Sequence, residues 1–282
     1  METIKEEWLR FFEGDRDGHS WWSRKKALWR ERNAEIVRIM GCGQEYREFR
    51  YDGKRFVRYL LHLSFVIKQK EHFHMEELVI PYEFRLKNGQ VTDHREVPKP
   101  PQSEKKLDML LRGEEDAGDY RFSYDRLAAV QYAERWWNSY NPAYRKFDVD
   151  CTNYVSQCMR AGGAPMHGQP VRDRGWWYSG DNWSYSWAVA HSLRWYLSGS
   201  TKGLQGREVE NAEELIPGDV ICYDFQGDGR WDHNTIVVAK DAYGMPLVNA
   251  HTDNSRNRYW SYEDSAAWTP EISYKFFRIG AD

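Results

Sequence analysis

The sequence predicts an α+β protein in two parts, and three observations carry that prediction. Apolar residues near the N-terminus recur at helical spacing and then switch to strict alternation through about residue 97. A stiff break follows at Pro98-Lys99-Pro100-Pro101-Gln102-Ser103-Glu104. Beyond it helical stretches come first, and short apolar runs divided by glycine turns come after. The reading is an N-terminal helix plus antiparallel sheet over residues 1–97, a linker over 98–119, and a second domain over 120–282 in which a cysteine-bearing helix packs on an antiparallel sheet.

Residues 3–40 read as helical. Ile4, Trp8, Phe11 and Phe12 share a face, and Trp22, Leu28, Trp29, Ile36, Val37 and Met40 continue it until Gly41 and Gly43 stop it. Strands are predicted over 45–51, 56–68, 72–86 and 91–97, with Asp52-Gly53 and Asn88-Gly89 as hairpin turns. His62, His72, His74 and His94 fall on these strands without a completing carboxylate or cysteine pattern, so they read as sheet-surface residues rather than metal ligands. His19 and Cys42 read as structural or surface positions, and no role follows from this half alone.

The second part opens with a helix over 124–140. Cys151, Tyr154, Val155, Cys158 and Met159 then share one face of a short helix bounded by Pro142, Gly162-Gly163 and Pro165. Residues 172–185 are loop-like and 186–197 helical. Strands follow from Val220, from His233 to Ala239, from Pro246 to His251 and from Ile272 to Ile279.

Composition narrows the function classes. Of 282 residues 41% are hydrophobic and 29% charged, enough for a real core. Forty basic residues against forty-three acidic give a net charge of −3 with the signs interspersed, which argues against a nucleic-acid binder. No apolar run approaches the ~20 residues of a membrane span, and the start lacks a secretory signal, so the chain as written reads as cytoplasmic. The four cysteines, 42, 151, 158 and 222, form no Cys-x-x-Cys, and neither a metal nor another cofactor is expected. Fourteen tryptophans are the oddity, and they imply an aromatic core or a stacking surface.

Chemistry concentrates in two places. Cys151 falls in the first turn of its helix, where free backbone N–H groups and the helix dipole favour a thiolate. His233 opens a strand some eighty residues later and can serve as base and then acid in attack on an amide carbonyl. Asn249 and His251, two apart on the next strand, are alternatives for the group that orients His233. The backbone N–H of Cys151 is the natural oxyanion donor, and Asn153 reads as an exposed helix residue. Trp176, Trp177, Tyr178 and Trp183 are the loop aromatics placed to line a substrate groove.

The ordered motifs Asp-Cys-Thr-Asn-Tyr-Val-Ser-Gln-Cys, Gly-Gly, Gly-Trp-Trp-Tyr, Pro-Gly-Asp-Val-Ile, Asp-His-Asn-Thr-Ile-Val and Asn-Ala-His-Thr-Asp resemble the putative amidase domain family of spore-forming bacteria. That family is a branch of the papain-like NlpC/P60 and CHAP superfamily. The resemblance covers about residues 120–282 and leaves 1–97 unexplained. It implies a papain-like fold, a Cys151 nucleophile, a His233 base, and peptide or cell-wall (peptidoglycan) peptide amides as substrates. His251-Thr252 matches the branch better than Asn249 does as third member. The rival is a non-catalytic peptide or glycan binding module on the same fold. A metal-dependent amidase would need a third ligand beside His233 and His251, and none stands at a suitable spacing.

Overall fold

The computed structural model describes residues 2–14, 20–87, 90–97 and 122–280. The expected linker 98–119, the Asn88-Gly89 turn and His19 lie outside these. The chain divides into two compact units, one of residues 1–101 with 262–266, the other of 102–261 with 267–282. Among the described residues no helix is long and apolar enough to cross a membrane.

The first unit carries α1 (Glu2–Glu13), α2 (Trp21–Glu31), β1 (Ala34–Tyr51), β2 (Lys54–Gln69), β3 (His72–Lys87) and β4 (Gln90–Glu96). The strands pair antiparallel in sequence order. β2 is the spine: Val57, Tyr59, Leu61, Leu63, Phe65 and Ile67 are buried and alternate with half-exposed neighbours. That alternation places one face against the helices, where Trp22 stacks on Phe65 and Trp8 Nε1 donates to the Tyr59 hydroxyl at 2.8 Å. Asp52 and Gly53, with φ of 50° and 68°, make the β1–β2 hairpin that the Asp-Gly pair predicts.

One expectation fails here. The helix predicted to Met40 ends at Glu31, and Asn33 at φ 50° turns the chain into β1. Ile36 and Met40 stand opposite Ile67 and Ser64 of β2. β-branched residues at 36, 37 and 39 suit a strand once a partner of matching register exists, and that pairing outweighs their helical spacing. Gly41 lies inside this strand, where a Cβ would come within 3.3 Å of the Leu63 side chain.

The second unit carries α3 (Arg126–Trp136), α4 (Cys151–Ala161), β5 (Tyr178–Ser179), β6 (Asn182–Trp183), α5 (Tyr185–Ala188), α6 (Ala190–Gly199), β7 (Gly206–Val209), β8 (Val220–Asp224), β9 (His233–Lys240), β10 (Pro246–Ala250), β11 (Asn254–Tyr259) and β12 (Ser273–Ile279). Its antiparallel sheet runs β11-β10-β9-β8-β12-β7. The predicted strands are all present. β7 and β11 are additions without a hydrophobic signature.

α4 is buried from Cys151 through Met159. Tyr154, Val155, Cys158 and Met159 pack in one cluster with Val220 and Cys222 of β8, Ile236 and Val238 of β9, and Phe277 and Ile279 of β12. The even-numbered residues of β8 and β9 therefore face the cysteine helix. The polar residues between them are satisfied, as burial requires. Ser156 Oγ donates to the Trp187 carbonyl, and Asn153 Nδ2 donates to the Arg145 carbonyl and Asp150. Trp187 Nε1 donates in turn to Asn153 Oδ1, so Asn153 holds the fold here and is not exposed.

Candidate active site

Cys151 is the first residue of α4 and only 1% exposed. Its Sγ lies 3.8 Å from Thr152 Oγ1 and receives the backbone N–H of Asn234. Thr152 donates to Asn234 Oδ1 at 2.8 Å, and Asn234 Nδ2 donates to Cys222 Sγ at 3.0 Å. Asn234 thus joins α4, β9 and β8 through one fully buried amide while offering its N–H to the thiol. It is the site residue that sequence reasoning missed. Its signal was a polar residue directly after the candidate base, at the head of a buried strand.

Burial pushes the Cys151 thiol above its ordinary value, with the Asp150 charge adding to the rise. The Asn234 and Thr152 contacts pull the other way without reversing it. This corrects the thiolate expected from the helix-start position: desolvation penalises the charged form more than the few donors at the helix start favour it. Burial also raises Cys158 and Cys222, which belong to the core.

His233 opens β9 directly before Asn234 and stands opposite Tyr223 of β8. Its ring lies 5.6 Å from Tyr223 and 6.1 Å from Phe225, on the strand face opposite the Asn234 side chain. The loop that delivers it is built on Asp224, whose carboxylate accepts the backbone N–H groups of Gly227, Asp228 and Gly229. Asp232 accepts from the Phe225 N–H and donates its own N–H to the Tyr223 carbonyl. Burial raises the Asp232 carboxyl.

His251 belongs to a second network. Its Nε2 faces the Trp136 carbonyl and its Nδ1 faces Asp150 Oδ2, each at 2.7 Å. The ring stacks on Tyr154 at 4.0 Å. A carbonyl only accepts, so Nε2 carries the hydrogen that points to Trp136. Asp150 Oδ1 accepts from the Phe147 N–H and from Asn153, and the Asp150 N–H donates to Thr252. His251 therefore grips the residue that precedes the thiol. Asn249 points elsewhere: it donates to Glu134 and accepts the Asn257 N–H.

The four loop aromatics separate into two pairs. Trp176 and Trp177 are buried, and their indole N–H groups are used on Ser156 and on the Val171 and Arg174 carbonyls. In this conformation they are core and line no open groove. Tyr178 and Trp183 are half-buried, and Tyr178 accepts the backbone N–H of Arg145. Among the described residues no three His, Cys, Asp or Glu side chains gather where they could hold a metal ion.

The family model described as "Putative amidase domain" matches residues 123–277, more than half of the chain. The chain belongs to this family. The matched segment contains α4, β8, β9 and β10, so Cys151, His233, Asn234, Asn249 and His251 all fall within the amidase domain, and the assignment points to amide hydrolysis. The chain is 47% identical over 266 residues to "Uncharacterized protein YhbB" of Bacillus subtilis, covering 92% of this chain and 86% of that protein. It is 30% identical over 145 residues to "Uncharacterized protein YjcM" of the same organism, covering 48% of this chain and 32% of that one. The YhbB likeness is longer than the amidase domain, so it takes in part of the N-terminal unit as well. No solved structure matches the chain significantly.

Proposed function

We propose that the chain is a papain-like, NlpC/P60-type cysteine hydrolase that cleaves amide bonds in peptides, with cell-wall peptides as the substrate class. The observation that carries the reading is the meeting of Cys151 Sγ with the N–H of Asn234, one residue after His233, inside the amidase domain. Cys151 is thereby held at the end of β9 that His233 opens. The His233 ring rests on the other face of that strand, so proton transfer requires the ring to turn toward the sulfur. Because the thiol rests protonated, deprotonation accompanies attack. His233 takes the thiol proton as sulfur adds to the carbonyl carbon, then passes that proton to the leaving amine as the C–N bond breaks. Water, deprotonated by the same imidazole, hydrolyses the thioester and restores the thiol. The backbone N–H of Cys151 is the donor for the oxyanion. His251 acts as a positioning residue through Asp150, and Tyr178 with Trp183 forms the aromatic side of the groove.

Burial of the thiol favours one other reading, a binding module on the same fold without turnover. Hydrolysis of soluble peptidoglycan stem peptides separates the two. Cys151→Ala is expected to abolish amine release and His233→Ala to lower kcat by ~10²-fold or more, while EDTA leaves the rate unchanged. Alkylation gives the sign of the thiol shift. At about pH 6 the exposed Cys42 should label faster than Cys151, whose rate should climb into the alkaline range without a plateau near neutrality. Retained hydrolysis by Cys151→Ala would falsify the mechanism. Tight peptide binding without any amine release would favour the binding module.

A further inference from the structure

The segment that leads into α4 is cationic and aromatic, and the same character returns at Arg172 and Trp183. The guanidinium carbons of Arg145 and Arg172 lie 5.3 Å and 4.6 Å from the centre of the Trp183 indole. Two guanidinium groups therefore share one half-buried ring. Phe147 packs edge-on against the same indole at 4.9 Å, and the Lys146 ammonium lies 3.9 Å from the Tyr140 ring centre. All three cations are exposed, and among the described residues none of them forms an ion pair. Other exposed cations, Arg38 and Arg47 among them, also form no ion pair among the described residues, so what sets Arg145 and Arg172 apart is the indole they share. Asp148 and Asp173 are close in the chain and are not used.

Stacking on an indole fixes the plane of a guanidinium while leaving its N–H edge outward. Arg172 Nε is spent on the Trp183 carbonyl at 3.0 Å, which leaves its two terminal nitrogens for a ligand. Two like charges held at one ring repel each other, and an anion between them relieves that cost. A guanidinium fork binds a carboxylate through paired N–H donors. The platform is also tied to the nucleophile. Asn153, in the first turn of α4, donates to the Arg145 carbonyl, and the Phe147 N–H donates to Asp150, the residue before Cys151.

We propose that Arg145 and Arg172, flanked by Lys146, form a subsite for a carboxylate of the substrate, so that amides bearing a free carboxylate near the scissile bond are the preferred class. The proposal rests on the reading of Cys151 as nucleophile and deepens it.

The test compares iodoacetate with iodoacetamide. Both alkylate a thiolate by displacing iodide, and they differ in carrying a carboxylate or a neutral amide. Rates at Cys151 and at the exposed Cys42 of the same full-length chain are read by mass mapping at about pH 9, and the thiolate fraction of each cysteine cancels in the ratio of the two reagents. The iodoacetate-to-iodoacetamide ratio at Cys151 should exceed that at Cys42 by about 3- to 10-fold at low salt. It should fall toward the Cys42 value at high salt and in the double variant Arg145→Gln/Arg172→Gln. An equal ratio at the two cysteines, or a preference that survives in the double variant, overturns the subsite. A Cys151 that reacts with neither reagent while Cys42 reacts with both overturns the nucleophile reading and the subsite with it.

Discussion

In the N-terminal unit the ammonium of Lys25 is fully buried and meets two carboxylates, Glu76 at 2.5 Å and Asp264 at 2.7 Å, with Trp29 Nε1 on the other oxygen of Glu76. At the head of α4 the buried ring of His251 meets one carboxylate and one carbonyl. The thiol of the residue after Asp150 meets the Thr152 hydroxyl and the backbone N–H groups of Asn234 and Thr152. Each arrangement takes ionisable groups out of water. The difference lies in what is left over. Around Lys25 the attractive partners close on one another, with the Phe65 ring beside the ammonium. Around Cys151 the ionisable pair is displaced by one residue onto Asp150 and His251, so the sulfur is held in place without being consumed by its holders. Buried charge by itself therefore marks a stabilising knot, and a reactive site needs a group that the knot positions and does not saturate.

Removing Lys25 should give the largest loss of stability. Lys25→Met keeps the apolar stem but leaves Glu76 and Asp264 buried without their cation, and breaking a buried pair from one side costs about 3–5 kcal/mol. Asp264 belongs to the short stretch 262–266 that is grouped with the N-terminal unit, so the loss falls on the anchoring of that stretch. Urea denaturation followed by tryptophan fluorescence measures it. A loss under about 1 kcal/mol would show that the knot is dispensable and that the contrast with the α4 site does not hold.

His251 is expected to matter next, and its variant separates the two candidates for a third member. His251→Ala strands the Asp150 carboxylate and the Trp136 carbonyl and empties the space against Tyr154, at a cost of about 2–4 kcal/mol. Because the loss acts on the residue before the thiol, kcat should fall by ~10-fold or more with KM little changed. Asn249→Ala removes one hydrogen bond to Glu134 and one from the Asn257 N–H, and should cost about 1–2 kcal/mol with turnover kept. The reverse outcome, with turnover lost at Asn249 and kept at His251, would return the third role to Asn249.

Much of this arrangement was legible in the residues. The cysteine helix announced itself because breakers bound a run whose apolar residues share one face, and the β8–β10 meander because glycine turns separate apolar strands. What escaped has physical causes. Ile36, Val37 and Met40 satisfy helical spacing and strand alternation about equally, and only the register with β2 decides between them. β11, Asn-Ser-Arg-Asn-Arg-Tyr, is polar up to its last residue and pairs with β10. Trp176 and Trp177 were placed in a groove because loop position says nothing about which way a side chain turns, and both turn inward. The helix-start argument gave the wrong sign for the thiol because the sequence carries no measure of desolvation, and desolvation dominates there.

The smallest effect tests the finest part of the comparison, the claim that the sulfur is positioned by groups that do not consume it. Thr152 lies within 3.8 Å of Sγ and spends its hydroxyl on Asn234, whose amide runs on to Cys222. Thr152→Val keeps the shape and deletes the hydroxyl. It leaves the buried Asn234 oxygen without this donor, at about 1–2 kcal/mol. The same change removes one of the contacts that lower the thiol, so the pH dependence of Cys151 alkylation should move further toward alkaline. Thr152→Ser restores the hydroxyl and should restore the alkylation profile, even though loss of the buried methyl lowers stability by about 1 kcal/mol. A role limited to packing predicts the opposite ranking, with valine harmless and serine damaging. If the alkylation profile follows methyl content and not the hydroxyl, the Thr152–Asn234 chain is a packing contact, and Cys151 is held by the helix alone.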